Sequence, residues 1–364
     1  MGSTVGNATS RNPMIELWRV AFSVLIFACH TTILPWYTSE AGLFKSASIG
    51  VEFFFVLSGF LMAQSAVRCS RVHSHTSLGS ETLQFIYSKA KGLYPTYFFA
   101  LCLEFLVASF LAVPDKKSFS EVIYYVWDIL FLRLTGLQGN TIDMAVGASW
   151  YLSGMILAMW IIYPLLRKYT DMFLHVLAPL VSVFLMGWFS NVYGSIKFQL
   201  DFNNGICLGL LRAIAELCVG CVCFMVYQQL QTIPRKTLTR MLATVGELGS
   251  LGSVFLIARH CYRSQIDFIC ILLIAVGITL SFSGLSYTQK MEGIINVRWI
   301  GKFSLALYLS HVVWIRMLNR WKIPIPFGYQ VVIAFILSIV TAFLCVYTIE
   351  LITQIRKSQK KLGE

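Results

Sequence analysis

Charge is what this sequence has little of. Only 13% of its 364 residues are Asp, Glu, Lys or Arg, and there are only 9 prolines. A soluble globular domain carries about 25% charged residues. The shortfall excludes a water-soluble enzyme, a disordered chain and a coiled coil, each of which needs more polar surface. Histidine is also scarce, at 6. Cys218, Cys221 and Cys223 cluster without a partnering histidine or a second cluster, so no metal is expected. Most of the 10 cysteines, among them Cys29, Cys102, Cys207, Cys270 and Cys345, sit inside apolar runs and read as small hydrophobes rather than a disulfide framework. Repeats and low-complexity stretches are lacking too. One domain over 1–364 is expected, with a short N-terminal segment (1–16) and a basic tail (353–364).

What the chain has instead is apolar length. Hydrophobic residues make up 57% of it, and many fall in runs of about 20, the number that crosses a bilayer as a helix. This predicts an all-α, polytopic membrane protein of about ten transmembrane helices. The spans fall near 17–36, 48–66, 92–113, 148–166, 172–190, 206–228, 241–258, 266–286, 303–317 and 329–352. The first run lacks a small-residue cleavage site and reads as a retained span. Segment 119–137 is apolar but holds Asp128 and Arg133, which fits an interfacial or re-entrant piece better than a span.

The net charge of +12 comes mostly from short loops. With both termini cytoplasmic and 119–137 not spanning, the inner segments carry nearly twice as many Lys and Arg as the outer ones, as the positive-inside rule requires. The basic excess therefore reads as topology and anionic lipid contact, not nucleic acid.

Ionisable residues inside spans are costly and mark cavities or partners. Arg19 and His30 are eleven residues apart on the first span, which puts them on one face about 16 Å apart along the axis. Glu52 enters the second span at about the depth of His30. A carboxylate beside a histidine fixes its tautomer and raises its basicity, as a general base requires. The same pair could instead only hold two helices together. Arg68, Arg71, Lys89 and Lys91 flank the loop between the second and third spans and suit either an anionic cosubstrate or lipid headgroups. Ser58 lacks the surroundings of a nucleophile elbow and reads as packing. Arg212 and Glu216 form an i,i+4 pair on one span. Ser58, Glu104, Trp150 and His311 are candidate cavity-lining residues, while Asp143, Trp150 and Tyr151 also suit an interfacial anchor.

Four motifs resemble the acyltransferase-3 family of integral membrane acyltransferases. They are Arg19 with His30, the block Gly50-Val51-Glu52-Phe53-Phe54-Phe55-Val56-Leu57-Ser58-Gly59-Phe60, the start Trp150-Tyr151-Leu152-Ser153, and Ile300-Gly301-Lys302-Phe303-Ser304 leading to Tyr308-Leu309-Ser310-His311. They span about residues 14–352. The resemblance implies acetyl-coenzyme A, or another acyl-coenzyme A, as a cytoplasmic cosubstrate with no resident cofactor. It implies a hydroxyl acceptor on a cell-surface polysaccharide or its lipid-linked precursor, and residence in a bacterial plasma membrane. His30 and Glu52 would then be catalytic, and Arg19, Lys89 and Lys91 would bind the donor. The family usually carries two arginines three apart just before the third span; here the stretch reads Lys89-Ala90-Lys91-Gly92-Leu93-Tyr94-Pro95. That departure bears on donor affinity rather than donor type, since Lys lacks the forked geometry of Arg. A transporter or a small-molecule sensor on the same scaffold are the alternatives. An exporter should show internal repeats and broken helices at matching places.

Overall fold

The computed structural model describes residues 12–38, 42–70, 77–111, 126–137, 149–288 and 296–362. Ten long helices stand among them. They are α1 (Pro13–His30), α2 (Gly50–Ser70), α3 (Leu78–Leu111), α4 (Ser149–Lys168), α5 (Thr170–Tyr193), α6 (Leu208–Leu230), α7 (Thr237–His260), α8 (Ile266–Phe282), α9 (Val297–Trp321) and α10 (Phe327–Leu362). Seven helices are long and apolar enough to cross a membrane, and α1, α2, α4, α5, α6, α7 and α10 supply them. The other three differ for physical reasons. α8 is short, while α3 and α9 carry the cations and histidine described below. Arg71 and Asp143 lie outside the described residues.

Local chemistry sets several boundaries. At the start of α1 the Asn12 side chain accepts from the Met14 and Ile15 amides at 3.0 and 3.2 Å, and Pro13 fills the first helical position. α5 opens through a π-helical turn at Phe173–Leu177. The only strands among the described residues are β1 (Phe202–Asn203) and β2 (Ile206–Cys207), a small antiparallel hairpin. Its two-residue turn is Asn204-Gly205, with φ of 48° and 82°, the left-handed pair that such a turn demands.

The described part of the doubtful segment, 126–137, does not span. It holds one helical turn and a 3-10 turn at Arg133–Thr135, folded back onto α3 and α4. The Tyr97 hydroxyl donates to the Asp128 carbonyl at 2.8 Å, Ser149 Oγ to Asp128 Oδ1 at 2.9 Å, and Ser153 Oγ to the Phe131 carbonyl at 2.7 Å. Arg133 is fully buried and lies 3.7 Å from Asp128, so the two charges that disqualified this stretch as a span meet each other.

Contacts between helix ends sort into two levels. At the first, Asn12 meets Ser281, Gln231 meets Ser283, Arg167 meets Glu81, and Lys302 meets Glu350. At the second, Lys45 meets Ala258, Arg263 meets Glu52, and Arg316 meets Glu104. The starts of α1 and α9 therefore share a level, and His30 lies at the other.

The tightest packing joins α2 to α6. A Cβ on Gly59 would come within 2.1 Å of the Leu217 carbonyl oxygen, and one on Gly220 within 2.1 Å of the Val56 oxygen. Only glycine permits this approach, the usual device of close helix pairs in membranes. Gly59→Ala and Gly220→Ala should each separate the helices and destabilise the bundle by about 1–3 kcal/mol or more. Gly249→Ala and Gly252→Ala on α7, where a Cβ meets nothing within 4 Å, should be neutral. Thermal unfolding of the four variants in detergent checks this: equal Tm values across the set would contradict it.

Candidate active site

Two stripes of α1 face different neighbours. Trp18, Phe22 and Ile26 face α2 and α7: Phe22 stacks on Phe53 with ring centroids 4.3 Å apart, and Phe255 lies 5.0 Å from Phe22. Ser23, Phe27 and His30 follow the spacing of a second stripe and face α9. Ser23 Oγ lies 3.1 Å from Ser304 Oγ, and the Phe27 ring is 6.1 Å from the His311 ring. His30 ends this stripe, with its Nδ1 3.0 Å from Nε2 of His311.

The backbone decides the tautomers of the two histidines. His311 Nδ1 lies 3.2 Å from the Leu307 carbonyl, an acceptor only, so this nitrogen carries the proton and Nε2 is bare. His30 Nδ1 faces that bare nitrogen and also the Ile26 carbonyl at 3.1 Å, so it too carries its proton. The consequence is a directed chain, Leu307 carbonyl to His311 to His30, that leaves His30 Nε2 with a free lone pair. A neutral imidazole so oriented has a lone pair able to accept a proton. His311 is fully buried, which holds its ring in place.

Glu52 takes no part in this pair. Its two oxygens are held by arginines: Arg212 Nη2 lies 2.8 Å from Oε2, and Arg263 Nη2 donates to Oε1 at 2.6 Å. Arg212 Nε also donates to Glu216 Oε1 at 3.0 Å and its Nη1 to the Phe198 carbonyl at 2.7 Å, while Arg263 Nε donates to Asp267 Oδ2 at 2.9 Å. The Trp150 ring lies beside Arg212, with the guanidinium carbon 5.1 Å from its centroid. Burial opposes the charge on Arg263, but the Glu52 and Asp267 carboxylates outweigh it and hold its pKa above the usual guanidinium value. The expected His30–Glu52 contact is therefore corrected. Phe53, next to Glu52, stacks on Phe22, eight residues before His30 on α1, so the expected depth differs as well as the rotation about the axis of α2, which is apolar nearly all round.

The donor candidates meet in a cavity of about 470 Å³ among α1, α2, α3, α4 and α9. Arg19, Lys89 and Lys302 lie at one part of its wall, and Phe54, Ser58, Tyr151 and Tyr308 at another. Arg19 Nη1 donates to Glu16 Oε2 at 2.9 Å. Burial lowers the pKa of the Lys89 ammonium, and a bound anion would raise it again. Ser58 Oγ lies 3.2 Å from the Tyr151 hydroxyl. Lys91 is not among the lining residues; its ammonium sits 5.6 Å from the Tyr87 ring centroid. Glu104 is held by Arg316 at 3.1 Å, and neither it nor Trp150 lines this cavity. Arg68 is exposed at the end of α2. Sequence reasoning missed Lys302, Arg263 and Asp267 as site residues. Arg263 and Asp267 repeat the i,i+4 pattern of Arg212 and Glu216, which was a readable signal.

Residues 12–350 match the family described as an acyltransferase domain, and since that is nearly the whole chain, the protein belongs to the acyltransferase-3 family. Neither the curated proteins nor the solved structures return a match.

The charge network makes a prediction about Glu52. Removing its charge takes away the carboxylate that both guanidiniums share and leaves each with only its i,i+4 acid, Glu216 or Asp267; breaking a buried pair from one side costs up to about 3–5 kcal/mol. Glu52→Gln should therefore lose folded protein, seen as reduced abundance and an early, broad peak on size-exclusion chromatography. A well-folded Glu52→Gln protein with normal abundance would show that the network is not what holds α2, α6 and α8 together.

Proposed function

We propose that this membrane acyltransferase moves an acetyl group from cytoplasmic acetyl-coenzyme A to a hydroxyl of a cell-surface polysaccharide or its lipid-linked precursor. One observation carries the reading: a cavity with Arg19, Lys89 and Lys302 on its wall runs to Tyr308, whose ring centroid is 6.1 Å from that of His311. Cations suit the phosphates of a coenzyme, and the inner part suits its uncharged thioester arm. In this arrangement both termini face the cytoplasm in a bacterial cell membrane, and the acceptor arrives from the level of His30.

The step proceeds from the tautomers. The acceptor hydroxyl donates to His30 Nε2. As its oxygen attacks the thioester carbonyl carbon, the hydroxyl proton passes to Nε2, and the new C–O bond forms. The tetrahedral intermediate collapses with rupture of the C–S bond. The imidazolium then returns the proton to the departing thiolate, so the products are an ester and free coenzyme A thiol. His311 stabilises the imidazolium by accepting from His30 Nδ1, the positioning role that a carboxylate fills elsewhere. Attack by Nε2 itself on the thioester, giving a transient acyl-imidazole, is the two-step form of the same chemistry.

Loss of a positioned base costs about 10²–10⁴ in rate, so His30→Ala should abolish detectable acylation while remaining folded. His311→Phe keeps the ring volume but removes the acceptor, and should lower kcat at least about tenfold with KM for acetyl-coenzyme A unchanged. Mass spectrometry of the surface glycan and steady-state kinetics in native vesicles read these effects. Normal acylation by folded His30→Ala would end the assignment.

The donor side separates the cations. Each hydrogen bond to a charged group contributes about 1.5–3 kcal/mol, so Arg19→Ala, Lys89→Ala and Lys302→Ala should each raise KM for acetyl-coenzyme A about tenfold or more. Lys91→Ala should not. Gly92 lines the cavity, and a Cβ there meets nothing within 4 Å. Gly92→Arg should therefore lower KM by restoring the usual second cation. Unchanged KM across the three alanine variants would return these residues to a topological or lipid role.

A further inference from the structure

The wall of the cavity changes from cationic to aromatic. Phe54, Tyr151 and Tyr308 form a cluster at the aromatic part: Phe54 and Tyr308 have ring centroids 5.6 Å apart, Tyr151 meets Tyr308 edge-on at 5.7 Å, and Phe54 meets Tyr151 edge-on at 6.0 Å. A second row backs them. Phe55 lies 4.6 Å from Tyr151, and Phe53 lies 5.5 Å from Phe54. The three front rings are 8% exposed or less and pack against one another. Tyr308 also neighbours His311, with ring centroids 6.1 Å apart, and His311 in turn meets His30. Leu57 and Met155 complete this part of the wall.

We infer that Phe54, Tyr151 and Tyr308 are an aromatic stop that limits the acyl group to a short chain. The inference rests on the reading of the cavity as the thioester site. A two-carbon acyl group fits with its methyl against the rings and its carbonyl beside them. Each further methylene has to press on rings that are held by one another and backed by a second row, which a close-packed interior resists. A pocket that rejects one methylene discriminates by about 10–200-fold, so a stop made of three rings is enough to set chain length.

The experiment measures release of free coenzyme A from acetyl-, butyryl- and octanoyl-coenzyme A by the full chain in native membrane vesicles, with vesicles lacking the protein as the blank. Ratios of kcat/KM within one protein do not depend on how much of it is folded. The parent should favour acetyl over octanoyl, and Phe54→Leu and Phe54→Ala should lower that ratio progressively, by at least about tenfold for the alanine variant. Met155→Phe, which adds bulk to the same wall, should raise the acetyl-to-butyryl ratio. A parent that uses octanoyl- as readily as acetyl-coenzyme A, or Phe54 variants with the parent's ratios, would overturn the stop while leaving the donor reading in place. Release from none of the three donors would overturn the donor reading itself, and the stop with it.

Discussion

Glu52 between two arginines is the contact on which the rest of this bundle depends. A charge taken out of water is tolerated only when another meets it, and in a span no solvent is available to substitute. Glu52 comes from α2, Arg212 and Glu216 from α6, Asp267 from α8, and Arg263 from the turn before it. One set of charges therefore fixes three helices and a connection at a single level. The directional demand of the guanidinium fork sets their rotations as well as their depths. Once α2 is turned so that Glu52 faces α6 and α8, its other face must present Phe54, Leu57 and Ser58 to the cavity. The aromatic part of the cavity wall is a consequence of where the charges are satisfied.

The histidine pair solves the opposite problem, that of burying a base without a charge. A carboxylate partner for His30 would have added a negative group to a bundle whose buried acids on α2, α6 and α8 are already committed to arginines. A second neutral imidazole orients the first at no such cost, provided that something fixes its own tautomer. The i−4 carbonyls of Leu307 and Ile26 do this from within the same helices. Ser23 and Ser304 join α1 to α9 two turns away from the pair and keep the facing stripes in register. The site is thus held by two unlike devices, ion pairs on one side of α2 and neutral hydrogen bonds along α1 and α9.

Much of this was legible in the residues, and the part that was not has a common cause. Ten apolar segments could be placed because hydropathy acts along the chain, and each expected span overlaps one of the long helices. The split of 119–137 from the true spans followed from Asp128 and Arg133, which the fold pairs. Arg19 and His30 were readable as one stripe because 3.6-residue periodicity is a property of a single helix. What failed was rotation and axial offset between helices. α2 offers Phe53, Phe54 and Phe55 in succession, so no polar stripe shows which way Glu52 points. The partner that His30 takes, His311, is 281 residues away and could be named as a candidate but not as its contact. Lys302 was counted among the loop cations that set orientation; only packing reveals that it faces the same space as Arg19 and Lys89.

That space also accounts for the unusual stretch before the third span. The family's two arginines would fall at Lys89 and Gly92, and both positions line the cavity, so the departure lies at the site and not beside it. Lys91, the nearest spare cation in sequence, cannot substitute. One residue before Gly92, it is turned about 100° around the helix axis and lies against Tyr87. The charge is instead supplied from a different helix, by Lys302 on α9, which pairs with Glu350 at 3.2 Å and stays partly exposed. A lysine on a flexible stem is a point charge that can follow a phosphate, whereas a fixed pair of forks would clamp it. The cationic wall is therefore assembled from α1, α3 and α9, and its geometry depends on how closely those three helices hold together rather than on one short motif.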